Sequence, residues 1–381
     1  MPNTYRTTAE IVALRTDDQK KVCLHLTDLS LFASGVFSNV YKGVAEDPET
    51  TKKTKIVIKK TWPRHKEKQL EVKILERLAE LHHKNVVQLL YSYTTVYEGN
   101  RTCLSLIFEF IPLNMHQYLK KNNRQLDIVE VKLITWQLFR GLWHLQRYSI
   151  CHRDIKPQNL LFNEDTGLLK ISDFGSSSME PPSTAQHSYH VTRYYRPPEL
   201  LLGSRHYGCE VDIWSGGCVF GELLKGGILL AGRSTTKQAE VIFDVLGLPS
   251  KDELKAMRVT DNKYQEALKL YEPDLRTKGF TFLYEQSPST MKDSKTLVKN
   301  AKISVSDMKQ ATKLLRQIFV YTPDSRLGGS KLLNHEFFAN LHMMVRENGR
   351  LIECLSADDF SHVSQGDTTF TEQTKEATVE K

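Results

Sequence analysis

Apolar and polar positions alternate, or run β-branched, through "VCLHLTDL", "VFSNVYKGVA" and "KIVIKK", and Gly, Asp, Pro and Thr break the runs. Period two with such stops predicts strands. "HKEKQLEVKILERLAELHH" changes to a helical period and predicts an amphipathic helix starting just after Pro63. On a wheel of about 100° per residue from Leu70, Leu81, Ile74, Leu78 and Leu75 fall at about 20°, 40°, 80° and 140°. Glu71, at about 100°, and Glu67, at about 60°, lie inside this apolar arc, while Glu76 and Glu80 point out. An inward glutamate needs a cation, and Lys59 in "KIVIKK" offers one. "NVVQLLYSYTTVY" and "TCLSLIFEF" are two further strands parted by "EGN".

From about Pro112 the period is helical, in "VEVKLITWQLFRGLWHLQRY", "DIWSGGCVFGELLKG", "QAEVIFDVLG" and "MKQATKLLRQIF". The pattern therefore predicts an α+β chain: a small β-rich lobe over residues 25–111, then a larger helical lobe over 112–340. Residues 1–24 read as an N-terminal extension. Residues 341–381 read as a C-terminal extension, and their polar composition from about 356 on predicts disorder. No internal repeat is present.

Composition narrows the classes. With 381 residues, 40% apolar and 25% charged, the chain suits a globular protein too long for one core. No stretch has the length of a transmembrane helix, and the N-terminus lacks a signal-type apolar run. Six cysteines without a C-x-x-C pair read as reduced thiols, so the expected location is cytoplasm or nucleus. The net charge of +7 is spread among acids, and its densest run, "TKKTKIVIKK", alternates like an exposed strand. Neither nucleic acid nor membrane is an expected partner.

The strongest chemistry lies in "HRDIKPQN", His152 to Asn159, followed by a strand, the turn "NEDTG", a second strand and "DFG" at Asp173 to Gly175. A loop, a hairpin and an acid at its exit bring Asp154, Asn159 and Asp173 to one end of the hairpin. Asn159 and Asp173 offer hard oxygen ligands suited to Mg²⁺ on a triphosphate. Asp154 is the residue type that orients a hydroxyl and accepts its proton, and Lys156 can neutralise a moving phosphoryl group.

On these residues the chain resembles the eukaryotic protein kinases over roughly residues 25 to 340. The resemblance implies a bilobal fold, with ATP and Mg²⁺ as cofactors and protein substrates as partners. "KIVIKK" then places Lys59 on the ATP phosphates, and "LEVKILERL" favours Glu71 over Glu67 as its partner. "FASGVFSNV" becomes the lid over the phosphates, with Ala33, Gly35 and Ser38 in the three usual glycine positions. Phe32, Phe37 and Val40 flank the nucleotide. The lid is stiffened by Ala33 and Ser38, which implies slower or weaker ATP use rather than none. Phe108 resembles the gatekeeper, Glu109 and Ile111 present backbone to the adenine, Leu161 forms the floor, and Gln158 belongs to the same nucleotide set. "RYYRPPE" resembles the end of the activation segment: Thr192, Arg193 and Arg196 belong to that segment, and Glu199 pairs with Arg326 of "TPDSRL". Asp212 of "DIWSGGC" braces the catalytic loop. With Lys59, Glu71, Asp154, Asn159 and Asp173 all present, an active enzyme is the reading, and a pseudokinase-type scaffold is the alternative.

"ICHRDIKPQNLLF" and "SYHVTRYYRPPELLLGSRHY" are most similar to the glycogen synthase kinase-3 (shaggy) branch of the CMGC group, serine/threonine kinases, and Tyr189 falls on the activation-loop tyrosine. Two departures stand out. That branch reads substrates already phosphorylated downstream through three cations, whereas this chain keeps only Arg153, with Leu70 and Ser178 at the other two positions. The region after Arg258 does not match the branch's scaffold-binding segment, so the family's scaffold partners are not carried over.

Overall fold

In the computed structural model the alternating N-terminal pattern becomes a closed barrel of six antiparallel strands. The structure describes residues 7–34, 38–50, 52–62, 67–99, 101–186, 192–269, 271, 279–283, 302–343 and 354–365. The strands are β1 (Thr7–Arg15), β2 (Lys21–Ser34), β3 (Ser38–Asp47), β4 (Lys52–Thr61), β5 (Leu89–Tyr97) and β6 (Arg101–Glu109). They run β1-β2-β3-β4-β6-β5 around the barrel, and β1 closes it on β5 with Leu14 opposite Ser92 and Arg15 opposite Tyr91. Inward residues of each strand, among them Val22, Leu24, Leu26, Ile56, Ile58 and Ile107, fill the interior.

The first strand lies within the expected N-terminal extension, residues 1–24, and adds to the barrel. Ala9, Ile11 and Ala13 face in, while Glu10 and Val12 face out. Two of the three inward residues are alanines, so the period-two signal was faint, yet the pairing with β2 runs from Thr7 to Leu14. A polar latch sits at the closure. The almost fully buried Asp47 accepts from Tyr91 Oη at 3.1 Å and faces Arg15 Nη2 at 3.3 Å, and Arg15 also reaches Glu49. Burial and the Asp47 carboxylate push the Tyr91 phenol up to about 12.

Contacts divide the chain into two units. The first holds Met1–Pro112 with Ser172–Ser177, and so contains the barrel and α1 (Glu67–Glu80). Ile74, Leu75 and Leu78 of α1 are buried, as the wheel requires. The second holds Leu113–Ile171 and Ser178–Lys381. A small sheet of β7 (Leu113–Asn114), β8 (Leu160–Asn163) and β9 (Leu168–Ile171) lies in it. Its helices include α2 (Met115–Lys121), α3 (Ile128–Arg147), α4 (Pro198–Leu201) and α5 (Glu210–Lys225). They continue with α6 (Thr235–Leu246), α7 (Lys251–Ala256), α8 (Asp261–Leu268), α9 (Val305–Ile318) and α10 (Gly329–Leu333). Asp127 starts α3 with a capping box, its side chain accepting from Glu130 N while Glu130 accepts from Asp127 N. Helix α5 is buried on nearly every side, as a central helix must be.

A further helix, α11 (Ala357–Gln365), corrects the expected disorder over those nine residues. Phe360 packs on Trp136 at 4.7 Å between ring centres, and Asp359 meets Arg140 Nη1 at 2.7 Å. Both partners lie on α3, so a polar stretch gains order from a surface more than 200 residues away in sequence. No described helix is long and apolar enough to cross a membrane.

His144 of α3 carries a testable consequence. Burial, with Arg147 and Arg140 adding repulsion, pulls its pKa down to about 4. The unfolded chain, with His near 6.5, therefore binds more protons between these values, and stability present above 6.5 is lost as the pH falls towards 4. Unfolding free energies from urea titrations should fall across that window by on the order of 2 kcal/mol more in the parent than in His144→Gln.

Candidate active site

Within the first unit, strand β4 and helix α1 bring Lys59 and Glu71 together. The Lys59 ammonium donates to Glu71 Oε1 at 2.7 Å and to Asp173 Oδ1 at 2.9 Å. Burial opposes the charge on Lys59, but Asp173 and Glu71 outweigh it and hold its pKa above the ordinary lysine value. Glu71 is buried, whereas the Asp173 side chain is half exposed and its backbone is left-handed at φ 66°. That conformation is uncommon for a residue with a Cβ and aims the carboxylate at the ammonium. Glu67, the other inward candidate, has no described side chain.

The lid residues flank a hairpin tip. Ala33 pairs with Val40 and Ser34 with Asn39, and the Ser34 hydroxyl donates to Asn39 Oδ1 at 2.7 Å. Ser38 opens β3 opposite Thr61, and Val40 lies opposite Lys59. Gly35 and Phe37 lie outside the described residues. Phe32 is partly exposed and stacks edge-on against Phe110 at 5.9 Å, with Lys42 Nζ 5.7 Å from its ring. Phe108 is half-buried in β6 between Val57 and Leu89, Glu109 pairs with Ile56, and Ile111 is buried just beyond the strand.

The second unit holds the catalytic-loop candidates. The Asp154 carboxylate is nine-tenths buried and receives three donors: Thr192 Oγ1 at 2.7 Å, Lys156 Nζ at 2.6 Å and Asn159 Nδ2 at 2.9 Å. Lys156 also donates to Thr192 Oγ1 at 3.2 Å, and Asn159 Nδ2 to the Asp154 carbonyl at 2.8 Å. With its nitrogen end committed to Asp154, the Asn159 amide presents its oxygen elsewhere. A hard amide oxygen here and the half-exposed carboxylate of Asp173 in the first unit are the donor types Mg²⁺ takes. Gln158 is exposed on the short turn Pro157–Asn159, and Leu161 of β8 pairs with Lys170 and Asn114.

The loop is held from beneath. Arg153 is left-handed at φ 65°, and the buried Asp212 accepts from its N–H at 2.8 Å and from His152 N–H at 2.6 Å. Burial pushes the Asp212 carboxyl up, and the two backbone donors pull the other way. The Arg153 guanidinium donates to Gln186 Oε1 at 3.2 Å and to Tyr207 Oη at 3.5 Å. Gln186 in turn donates to the Tyr207 carbonyl, and its own N–H to the Arg205 carbonyl. Ser178 exchanges backbone hydrogen bonds with Cys151 at 2.8 Å each way and is buried, its hydroxyl accepting from Glu180 N. The Gln186 network and the Thr192 contact escaped the sequence reading, since neither residue type nor spacing announces a partner so far along the chain.

Beyond the loop, Glu199 and Arg326 form a two-pronged pair at 2.7 and 2.6 Å, both almost wholly buried. Arg326 is also satisfied by the carbonyls of Glu210 and Val320 and lies 5.1 Å from the Trp214 ring. Arg193 lies 5.1 Å from the Tyr194 ring, and Arg196 is buried at the end of a short turn. Tyr189 lies outside the described residues.

Residues 27–338 match the family model described as a protein kinase domain. The chain is similar to protein kinase gsk3 of Schizosaccharomyces pombe, 33% identical over 279 residues that cover 72% of this chain and 66% of the relative. It is 30% identical to glycogen synthase kinase 1 of Pyricularia oryzae, over 84% of this chain and 73% of the relative. It is 33% identical to glycogen synthase kinase 3 of Trypanosoma brucei brucei, over 75% of this chain and 76% of the relative. The match thus spans about two thirds to three quarters of each relative's length.

The buried ion pair sets a stability expectation. Removing one partner leaves an uncompensated charge in the interior. Glu199→Gln should lower the unfolding free energy by about 3–5 kcal/mol in chemical denaturation, whereas exchanging the exposed Lys313 that faces Glu336 should leave it within about 0.5 kcal/mol.

Proposed function

The chain belongs to the protein kinase family, in the branch of the glycogen synthase kinase 3-like serine/threonine kinases, and we propose that it transfers the γ-phosphoryl group of Mg-ATP to protein Ser and Thr hydroxyls without needing a substrate phosphorylated beforehand. The single observation that carries activity over a scaffold role is Lys59 bonded to both Glu71 and Asp173. A phosphate-binding lysine is kept charged and aimed by such a pair.

Asp154 takes the role of orienting the acceptor hydroxyl and receiving its proton as the hydroxyl oxygen gains the phosphoryl group. The Thr192 hydroxyl, donating to Asp154 at 2.7 Å, supports this role, because it sets the carboxylate at working distance from an alcohol. Lys156, bonded to the same carboxylate, places a positive charge beside the reacting oxygens. Asn159 and Asp173 are the residues assigned to Mg²⁺, whose charge offsets that of the phosphates. Ala33, Ser38, Val40, Phe32, Phe108, Glu109, Ile111, Gln158 and Leu161 are assigned to the nucleotide by family position, with Gly35 and Phe37 alongside them.

Independence from priming rests on what surrounds the three cation positions. Arg153 is retained, but its guanidinium already donates to Gln186 and Tyr207. Ser178 is buried and bridged to the Cys151 backbone, and Leu70 is apolar. A phosphate would meet one arginine that already holds Gln186 and Tyr207, against the several charge-assisted bonds it normally requires.

The activity is tested with Mg-ATP and a peptide library. Transfer by the parent should fall by at least about 10³-fold in Asp154→Asn and Lys59→Met, and a parent that phosphorylates no peptide is instead a scaffold. For priming, one peptide is compared with and without its downstream phosphate. The expected kcat/KM values agree within about threefold, and a large preference for the phosphorylated form overturns the assignment.

A further inference from the structure

A cleft of about 1020 Å³ opens in the second unit, with Lys156, Asn159 and Thr192 along one wall. These residues surround Asp154, so the cleft begins where an acceptor hydroxyl would be held. Its other walls carry Arg124, Lys225 and Arg233, and its lining includes one acid, Glu222.

The charges do not cancel. Glu222 is buried, accepts from Tyr195 Oη at 2.7 Å and faces Arg124 at 3.7 Å. Lys156 is paired with Asp154. Lys225 donates to the Ile228 carbonyl at 3.2 Å and lies 5.6 Å from the Phe282 ring, with no carboxylate at ion-pair distance among the described residues. Burial pulls its pKa down, as expected for an ammonium short of compensating charge. Arg233 is exposed and likewise makes no ion pair among the described residues.

The walls are also rigid. The fully buried Gln238 accepts from Gly232 N at 2.8 Å and donates to the Leu230 carbonyl at 3.0 Å, pinning the loop that presents Arg233. Gly226 ends α5 at φ 80°, and a Cβ there would lie 2.4 Å from the Arg124 carbonyl oxygen. Only glycine lets the end of α5, with Lys225, approach the Arg124 backbone so closely.

We propose that this cleft receives an anionic side chain of the protein substrate, a carboxylate or a phosphate, held by Arg233 and Lys225 beside the acceptor residue. The inference rests on the kinase reading above. It makes the enzyme acid-directed through residues separate from Arg153, and it disfavours Lys or Arg at the same substrate position, where like charges would meet.

The full-length protein is tested on one acceptor peptide in which Gln, Glu, phosphoserine or Lys is scanned through each flanking position. At one position Glu or phosphoserine should raise kcat/KM about tenfold over Gln, mainly through KM, and the gain should shrink at high salt. Glu and phosphoserine acting alike identifies an acidic sequence as the natural ligand, whereas phosphoserine alone supports the cleft but overturns the independence from priming proposed above. Arg233→Glu should invert the preference at that position so that Lys outperforms Glu, a gain that a misfolded variant cannot show. Equal use of all four peptides at every position overturns the inference while leaving the kinase reading intact, as does an anion preference that survives Arg233→Glu combined with Lys225→Gln. Failure of the parent to phosphorylate any peptide overturns both readings.

Discussion

The catalytic loop depends on one buried carboxylate. Asp212 accepts hydrogen bonds from the backbone N–H groups of His152 and Arg153, and these two bonds offset the cost of holding Arg153 in a left-handed conformation. Fixing these two residues fixes the direction of the next. Asp154 follows directly, and its carboxylate, with Lys156, Asn159 and Thr192 around it, takes its orientation from the turn below. An ionised carboxylate that deep is costly alone. It is tolerable because two amides meet it and Arg153 lies beside it.

The same logic of paired charge runs through both units. In the first, Lys59 stays cationic because two carboxylates outweigh its burial. In the second, Glu199 and Arg326 satisfy each other in two bonds and so anchor α4 to the segment after α9. These pairs give little net stability over apolar replacements, but each makes one geometry far better than its neighbours. Arg153 also meets neutral groups, donating to an amide and a phenol.

Much of this was legible beforehand because it depends on local periodicity and close spacing. The alternation of "KIVIKK" predicted β4, the wheel placed Glu71 inward, and the structure bonds it to Lys59. Asp154, Lys156 and Asn159 lie within six residues, so their clustering needs little more than a turn. Features that rest on distant surfaces were not legible. Strand β1 has alanine at two of its three inward positions and is recognisable only once β2 and β5 are there to pair with it. The polar segment holding Asp359 and Phe360 has the composition of a disordered tail, and it becomes helix because Arg140 and Trp136 wait on α3.

The sequence by itself determined the element types, the family and the identity of the reactive groups, since periods of 2 and 3.6 and short motifs are properties of neighbouring residues. The tertiary structure alone decided which charges are spent and which remain available. Arg124, Lys156, Lys225 and Arg233 are equal cations in the sequence. Folding neutralises the first two against Glu222 and Asp154 and leaves the other two lining a cleft. The reason is physical: Coulomb pairing depends on distance in space and on burial, and neither is encoded by separation along the chain.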